Sequence, residues 1–293
     1  MGTGIALTAV RHIRDMHVAV LDISEAQLQR GRKFSELWVQ KEVVKGKLDQ
    51  LAAESLLQRL TFSILNPDAL IKRDVSAAPE AVQRASFCIE SASENLAVKR
   101  SLFAFLDAAA PQTAVLATNT SSISITKIAA VTRRPQKVIG MHFMNPVPVM
   151  PLVEIISGLD TDDHTKQRTE QLASHMKKTT AHSQDRPGFV ANRLLMPYIN
   201  EAVFALQEGI SSAQDIDRIM RLGANMPMGP LELADFIGLD ICLAILRVLH
   251  SELGDSKYRP APLLTQYVDA GYLGRKSGRG FYEYHNGQSV IHK

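Results

Sequence analysis

A histidine and a glutamate interrupt two neighbouring apolar runs of the chain. His142 lies near the end of the run from Lys137 to Phe143, Glu154 lies within Leu152 to Ser157, and a proline-rich segment joins the two runs. Strands joined by so short a turn can lie side by side, and the carboxylate would then orient the imidazole and stabilise its protonated form. A histidine held in this way can act as a general base. A buried pair with a purely structural role is the alternative interpretation.

A cluster of small polar side chains follows another apolar run. The segment Ala117-Thr118-Asn119-Thr120-Ser121-Ser122 places five of them where a buried strand is expected to end. Ligands of open α/β sheets bind at the carboxyl ends of the strands, so this segment is a candidate ligand-binding loop. Serine and threonine are also favoured as helix N-caps, and one of these residues is expected to cap the helix that follows.

The first residues of the chain have the pattern of a dinucleotide-binding unit. Met1-Gly2-Thr3-Gly4-Ile5-Ala6 opens a helical pattern that continues to Arg14, and the next apolar run ends in Asp22. In such units a glycine-rich turn precedes the helix, and an acidic residue about 20 residues later binds the adenosine ribose. A carboxylate at Asp22 would repel a 2'-phosphate, which favours NAD over NADP. An ordinary surface carboxylate at the end of a strand is the alternative.

Two segments of the second half contain further candidates. Asn192 follows Gly188-Phe189-Val190-Ala191, and its carboxamide can donate to a substrate carbonyl or lie on the polar face of a helix. The tail from Gly274 to Tyr282 combines flexible glycines with three cations, including Lys276. It can bind phosphate, with a frayed C-terminal turn as the alternative.

A basic amphipathic helix is predicted from Gln27 to Gln50. Phe34, Leu37 and Trp38 form its apolar face, and the cations include Arg32 and Lys33. Such a helix either packs its apolar face and exposes its charges to solvent, or holds an anionic ligand.

The elements that position these residues alternate between strands and helices up to about residue 185. The predicted strands are His17 to Asp22, Ala85 to Glu90, Ala114 to Thr118, Lys137 to Phe143 and Leu152 to Ser157, and Asn95 to Ala109 has helical periodicity. Short runs rich in Val, Ile and Leu are typical of strands buried on both faces of a parallel sheet. Residues 1–185 are therefore predicted to form an α/β, Rossmann-like doubly wound domain.

Strand signals stop after Asp185-Arg186-Pro187-Gly188. Helical patterns then cover Phe189 to Gln207, Ser212 to Leu222 and Leu231 to Leu253. Residues 186–293 are therefore predicted to form a separate, all-helical C-terminal domain.

Composition excludes several classes of protein. The net charge of +3 is too small to argue for a nucleic-acid surface, and no apolar run approaches the ~20 residues that cross a bilayer. Cys88 and Cys242 have no metal or redox spacing. We therefore expect a protein of a reducing compartment that binds no metal, no nucleic acid and no membrane.

These segments together resemble the 3-hydroxyacyl-CoA dehydrogenase family, especially its short single-function form and the bacterial 3-hydroxybutyryl-CoA dehydrogenases. The resemblance covers nearly the whole chain. Its motifs are Asn119-Thr120-Ser121-Ser122, His142-Phe143-Met144-Asn145-Pro146-Val147-Pro148, Leu152-Val153-Glu154, Pro187-Gly188-Phe189 through Asn192-Arg193, Pro227-Met228-Gly229-Pro230, and Gly274-Arg275-Lys276 through Gly280-Phe281-Tyr282.

The resemblance implies a role for each candidate. His142 would be the catalytic base, Glu154 its orienting carboxylate, and Ser121 and Asn192 would hold the substrate's oxygen. The NAD site would be lined by Gly2, Asp22, Glu94, Lys99, Asn119, Ser121, Asn145 and Lys276. Arg32 and Lys33, with Ser121, would contact the coenzyme A part of the substrate.

The implied reaction is the reversible oxidation of a short-chain (3S)-3-hydroxyacyl-CoA to the 3-oxoacyl-CoA with transfer of a hydride to NAD, in fatty-acid or butanoate metabolism. In this family the helical domain also forms a homodimer, for which the apolar helices at 189–207 and 231–253 are suited.

One feature departs from the family pattern. That pattern begins with a buried strand and a Gly-x-Gly-x-Met-Gly turn, whereas this chain begins at the Met-Gly of the turn and has only its third glycine, Gly2. We therefore expect a domain truncated at its N-terminus, without its first strand and with a gap between the strands that normally pair with it. An incomplete gene model or an internal-start isoform of an active enzyme is the corresponding hypothesis.

Two other functions are compatible with the same residues. A catalytically silent relative would act as a binding or structural subunit, because loss of cofactor binding alone would silence the site. A dehydrogenase of free hydroxy acids, resembling the gulonate dehydrogenase and lambda-crystallin branch, is disfavoured. That branch has a proline after the histidine, where this chain has Phe143.

Overall fold

The computed structural model of the chain describes residues 1–285 and 288–290. It divides into two compact units, Met1–Arg186 and Pro187–Lys293. The remaining residues of the predicted second domain, 286–287 and 291–293, lie outside the described part. Within that part no helix is both long and apolar enough to span a membrane.

The first unit alternates helices and strands. In chain order these are α1 (Gly2–His12), β1 (Val18–Asp22), α2 (Glu25–Val44), α3 (Gln50–Gln58), β2 (Leu60–Ile64), α4 (Pro67–Lys72), α5 (Glu80–Gln83), β3 (Phe87–Glu90), α6 (Leu96–Ala109), β4 (Val115–Thr118), α7 (Ile125–Ala129), β5 (Val138–Phe143), β6 (Leu152–Ser157), α8 (Asp163–His175) and β7 (Thr179–Gln184). Short 3-10 turns occur at Val75–Ala77 and Pro135–Lys137. The basic helix predicted from Gln27 to Gln50 corresponds to α2, which ends at Val44, and Gln50 is the first residue of α3.

The strands form two sheets. β1 and β2 pair in parallel, and the second sheet has the order β3-β4-β5-β6-β7. β3, β4 and β5 are parallel, whereas β6 runs antiparallel to β5 and parallel to β7. The parallel pattern that the apolar runs indicate thus ends at β5, and β6 joins the sheet in the antiparallel direction. The loop between β5 and β6 is too short for the crossover that a parallel connection needs.

The expected gap falls between β1 and β3. Among the described residues no strand precedes α1, and β1 is hydrogen-bonded to β2 but not to β3.

Two strands of the first unit, β2 and β7, were not predicted from the sequence. Both lie at a sheet edge and expose most of their side chains, so they lack the continuous apolar run of a buried strand.

Helix α1 packs against both sheets of the first unit. Every residue from Gly4 to Val10 is buried. Ile5 and Ala9 join the core that is built on β4, β5 and β6, while Leu7 and Val10 join the core around β1, α2 and α3. A Cβ at Gly2 would meet Oγ of Ser91, which directly follows β3, so the start of α1 lies at the carboxyl end of that strand.

The second unit is mainly helical. Its elements are α9 (Ala191–Gln207), α10 (Ala213–Gly223), α11 (Pro230–Ile237), α12 (Leu239–Leu253), α13 (Pro262–Asp269), β8 (Glu283–His285) and β9 (Gln288–Val290), with 3-10 turns at Ser256–Tyr258 and Arg275–Ser277. The helix predicted from Leu231 to Leu253 is divided at Gly238, whose φ of 107° is not helical. The β8–β9 hairpin corrects the prediction of an all-helical domain.

Two buried carboxylates organise this unit. Asp217 accepts hydrogen bonds from the first amides of α11, Leu231 N and Glu232 N, and from the hydroxyl of Tyr282. It therefore caps α11 from α10, because the first amides of a helix have no partner within the helix.

The second carboxylate, Asp235, holds the C-terminal segment against α11. It accepts hydrogen bonds from Phe281 N, Tyr282 N and the hydroxyl of Tyr284. Burial raises the pKa of Asp235 to about 6, although these hydrogen bonds favour the ionised form. Asp217 and Asp235 thus have a structural role.

We expect Gly229→Ala to destabilise the protein by about 2 kcal/mol. A Cβ at position 229 would lie 2.3 Å from Cβ and Cγ of Asp217 and would displace the capping carboxylate. Urea unfolding measures the change. Gly223→Ala is the control, because a Cβ there meets no atom within 4 Å. Equal stability of the two variants would contradict the role assigned to Asp217.

Candidate functional site

The pairing of β5 with β6 brings the histidine and the glutamate together. His142 lies directly opposite Glu154 across the two strands, and its Nδ1 is 2.8 Å from Oε2 of the carboxylate. Both side chains are buried, with exposures of 7% for His142 and 3% for Glu154. A neutral imidazole that donates its Nδ1–H to this carboxylate keeps its lone pair on Nε2. The pair is therefore built to accept a proton at Nε2.

Asn119 connects the polar loop after β4 to the histidine strand. Its backbone amide donates to the carbonyl of Glu90 at 2.7 Å, and its Oδ1 accepts from the amide of Phe143 at 2.8 Å. Phe143 directly follows His142, so Asn119 ties the ends of β3, β4 and β5 together. The candidate ligand loop thus begins beside the proton acceptor.

The carboxylate of Glu94 organises the next part of this loop. Its Oε1 accepts from the amides of Ser121 at 2.8 Å and Ser122 at 3.0 Å, and from the hydroxyl of Thr120 at 2.6 Å. Burial by itself would raise the pKa of Glu94. The Thr120 hydrogen bond and the charge of Lys99 outweigh burial and hold that pKa below its usual value. Glu94 is therefore an ionised clamp on the loop that contains Ser121.

The expected helix cap falls elsewhere. The hydroxyl of Ser124 accepts from the amide of Lys127 and caps α7. Thr120 instead accepts from the amides of Ser122 and Ile123 within the loop. The residues from Thr118 to Ser122 are thus not the cap of this helix, and the N-cap interpretation is wrong for them.

Sequence reasoning missed Glu90. Its carboxylate is 2.7 Å from Nζ of Lys99, and the exposure of the two residues is 4% and 1%. Lys99 also lies 3.5 Å from Oε2 of Glu94. The available signal was a charged residue at the end of the apolar run Phe87-Cys88-Ile89, because a carboxylate in that position needs a partner when it is buried.

The start of α1 and the end of β1 are suited to a dinucleotide. Gly2 is the first residue of α1, and a Cβ at this position would lie 2.5 Å from Oγ of Ser91, just beyond β3. Asp22 ends β1 and accepts from the amide of Ser24 at 2.9 Å. A helix start without side-chain bulk exposes amides to an anion, and a carboxylate on the adjoining strand can accept from a ribose hydroxyl. The residues present therefore fit NAD.

Asn145 lies in the loop between β5 and β6 and is exposed. Nζ of Lys178 donates to the carbonyls of Val147 at 2.6 Å and Met150 at 2.7 Å, and Val147 also lies against Gly4 of α1. The loop that holds Asn145 is therefore fixed from two sides.

The two cations predicted to contact coenzyme A lie on α2. The guanidinium of Arg32 donates to the carbonyl of Phe62 at 2.9 Å and stacks over its ring, while Lys33 is exposed. Arg32 is thus held against β2.

Two predicted site residues belong to the second unit. Asn192 is buried in the first turn of α9, at 8% exposure. Lys276 lies in the 3-10 turn Arg275–Ser277, and its Nζ donates to the carboxylate of Asp240.

An α/β unit with polar groups at the carboxyl ends of its parallel strands, a buried histidine–glutamate pair and a separate helical unit define an NAD-dependent dehydrogenase. Comparison with known sequences gives the family. The profile described as "3-hydroxyacyl-CoA dehydrogenase, NAD binding domain" matches residues 1–186, and the one for the C-terminal domain of the same enzymes matches residues 188–284. The chain belongs to the 3-hydroxyacyl-CoA dehydrogenase family.

Comparison with individual relatives gives the same family. The chain is 48% identical to a probable 3-hydroxybutyryl-CoA dehydrogenase of Bacillus subtilis, over 97% of this chain and 94% of the relative. It is 45% identical to a 3-hydroxybutyryl-CoA dehydrogenase of Bradyrhizobium diazoefficiens, over 99% and 94%. The crystal structure of (S)-3-hydroxybutyryl-CoA dehydrogenase from Ralstonia eutropha superposes with a TM-score of 0.87 at 44% identity, covering 98% of this chain and 96% of that one.

The family match does not support the expected truncation. The NAD-binding domain profile matches this chain from residue 1. In the described part of the chain, β1–β2 and β3–β7 form separate sheets.

We expect Glu154→Gln to lower kcat about 100-fold. The amide can still accept the Nδ1 proton of His142, but it does not provide the charge that stabilises an imidazolium. Steady-state NADH oxidation with acetoacetyl-CoA measures the effect. Glu170→Gln is the matched control, because Glu170 forms a more exposed pair with His182 at 3.4 Å and should leave kcat unchanged. Equal kcat in Glu154→Gln and the parent protein would show that the pair is structural.

Proposed function

We propose that this protein catalyses the reversible oxidation of short-chain (3S)-3-hydroxyacyl-CoA, such as 3-hydroxybutyryl-CoA, to 3-oxoacyl-CoA. The observation that supports this most directly is the buried His142–Glu154 pair at 2.8 Å, next to the loop that Glu94 organises. The names of the relatives support the substrate class, since those described above are 3-hydroxybutyryl-CoA dehydrogenases.

His142 takes the proton of the substrate's 3-hydroxyl at Nε2. Glu154 stabilises the imidazolium that results, because its carboxylate already accepts the Nδ1 proton. When bound, NAD supplies the acceptor for the hydride that leaves carbon 3. In the reverse direction the same imidazolium returns the proton to the oxygen of the 3-oxo group.

Ser121 and Asn192 hold the substrate oxygen in this proposal. A hydroxyl and a carboxamide both donate hydrogen bonds, and donors placed around an oxygen stabilise the negative charge that develops there. The backbone of Ser121 is fixed by Glu94, so its position is set before substrate binds. Pre-set donors lower the barrier without having to reorganise during the reaction.

The domain predicted at residues 1–185 binds NAD in this proposal. Gly2 gives the cofactor access to the amides of α1, and Asp22 binds the adenosine ribose and disfavours a 2'-phosphate. The other residues assigned to the NAD site are Glu94, Lys99, Asn119, Ser121, Asn145 and Lys276.

Coenzyme A is assigned to the basic side of α2. Arg32 and Lys33 provide positive charge for its phosphates, and Ser121 contacts the acyl part. The hydrogen bond of Arg32 to the carbonyl of Phe62 supports this assignment, because it holds the guanidinium in one place on an exposed surface.

We expect His142→Gln to lower kcat for acetoacetyl-CoA reduction about 1000-fold, since glutamine cannot transfer the proton. NADH binding, followed by its fluorescence, should be unchanged. His182→Gln replaces a histidine at the sheet edge and should keep full activity. The preference for short acyl chains is tested in the same assay with a 3-oxoacyl-CoA of longer acyl chain, which should give a lower kcat/KM than acetoacetyl-CoA. Retention of activity by His142→Gln would refute the assigned mechanism.

The proposal includes a homodimer formed through the second unit. Phe236 and Ile241, at either side of the break between α11 and α12, have exposures of 43% and 45%. Apolar side chains that remain exposed on a surface are typical of protein interfaces.

We expect the protein to sediment as a dimer, and the double variant Phe236→Glu/Ile241→Glu to sediment as a monomer, because buried unpaired charges oppose association. Analytical ultracentrifugation distinguishes the two states. Leu159→Glu is the control, because Leu159 is 82% exposed in the first unit and should not affect association. A monomeric parent protein would overturn the dimer proposal.

A further inference from the structure

The carboxylate of Glu90 has no role in the mechanism described so far, although it is buried in the first unit. It is 4% exposed and ends β3, next to the polar loop that follows β4. Burying an ionised carboxylate is costly unless its oxygens are hydrogen-bonded and its charge is paired. The arrangement around Glu90 meets both conditions.

Three donors hold the two oxygens of Glu90. Oε1 accepts from Nζ of Lys99 at 2.7 Å and from the amide of Ala92 at 2.6 Å, and Oε2 accepts from the hydroxyl of Thr118 at 2.6 Å. These donors come from α6, from the loop after β3 and from the end of β4. Glu90 therefore ties three segments together at the edge where the ligand loop begins.

Lys99 continues this arrangement toward the site. Its ammonium is 1% exposed and lies between two carboxylates, at 2.7 Å from Glu90 and 3.5 Å from Glu94. Oε1 of Glu94 accepts the amides of Ser121 and Ser122. A continuous series of polar contacts thus links Glu90 to the backbone of Ser121.

Charge makes Glu90 the member that sets the position of the ammonium. The closer carboxylate contributes most of the attraction, since the Coulomb energy falls with distance. If Glu90 were neutral, the ammonium would lose its nearer carboxylate and would no longer be held in one position beside Glu94.

We propose that Glu90 is a positioning residue: it holds the Lys99 ammonium so that Glu94 keeps the Ser121–Ser122 backbone in place. The inference rests on the proposed function, in which Ser121 holds the substrate oxygen. Glu90 acts only through Lys99 and Glu94, and it contacts neither substrate nor cofactor in this proposal.

The first test is Glu90→Gln in the full chain. We expect kcat for acetoacetyl-CoA reduction to fall about tenfold with less than about a twofold change in KM, because a displaced oxyanion donor affects the transition state more than the bound substrate. Far-UV circular dichroism and thermal unfolding are measured on the same sample.

Asp107→Asn is the matched control. Asp107 is also a buried carboxylate of α6, 4% exposed, and it pairs with the buried Arg134 at 2.9 Å at the other end of the helix. Its replacement should lower the unfolding midpoint but leave kcat unchanged. If Glu90→Gln behaves like this control, with lower stability and full kcat, the positioning role is overturned.

The double variant Glu90→Gln/Lys99→Met covers the case in which the single variant does not fold. It removes both members of the buried ion pair, so much of the lost stability should return. The kcat, measured at saturating NADH because Lys99 is also assigned to the NAD site, should remain low, since Glu94 then has no ammonium beside it. Recovery of both stability and kcat would show that Glu90 only balances charge.

The pH profile provides a readout that a structural role would not change. The charge of Lys99 lowers the pKa of Glu94, so its removal in the double variant should raise that pKa. Loss of kcat on the acid side should therefore begin at a higher pH than in the parent protein. An unchanged acid limb would contradict the proposal. Failure of the proposed function itself would appear separately, as activity retained in His142→Gln.

Discussion

The antiparallel pairing of β5 with β6 is the constraint on which the site in the first unit depends. A buried histidine and a buried glutamate are each costly, and the fold contains them because the strand register places them opposite one another at 2.8 Å. Side chains alternate between the two faces of a strand, so a register shift of one residue would turn one partner to the opposite face. The short loop between β5 and β6 and the contacts of Lys178 with that loop help to fix this register.

A second buried pair of this unit, Glu90 and Lys99, lies at the carboxyl end of β3. The backbone groups at strand ends have no further ladder partner and must be satisfied by other groups. Here Asn119 and Glu94 satisfy several of them, and the same contacts fix the loop that contains Ser121. The same hydrogen bonds thus stabilise the first unit and fix the position of the loop that contains Ser121. Substitutions at Glu90 or Glu94 are accordingly expected to affect folding and turnover together unless matched controls separate the two.

The second unit uses buried carboxylates differently. Asp217 caps a helix, and Asp235 anchors the C-terminal segment through amides and tyrosine hydroxyls. By residue type alone, these aspartates resemble candidates for acid–base chemistry. Their partners distinguish them from Glu154, because amides and hydroxyls satisfy a carboxylate, whereas an imidazole can exchange a proton.

The sequence by itself determined the elements with strong local patterns. Apolar runs located β1, β3, β4, β5 and β6, and helical spacing located α6, α9 and α10. Six motifs taken together, among them the one around His142, indicated the family. Tertiary structure decided what depends on contacts distant in sequence. The edge strands β2 and β7 form by pairing with a neighbour, and β6 reverses because its loop is short. The break at Gly238 is a backbone conformation within an apolar pattern that continues through it. Glu90 acquires its role only when folding brings Lys99 and Thr118 to it, because an ion pair or hydrogen bond between separate elements leaves no periodic signal in the sequence.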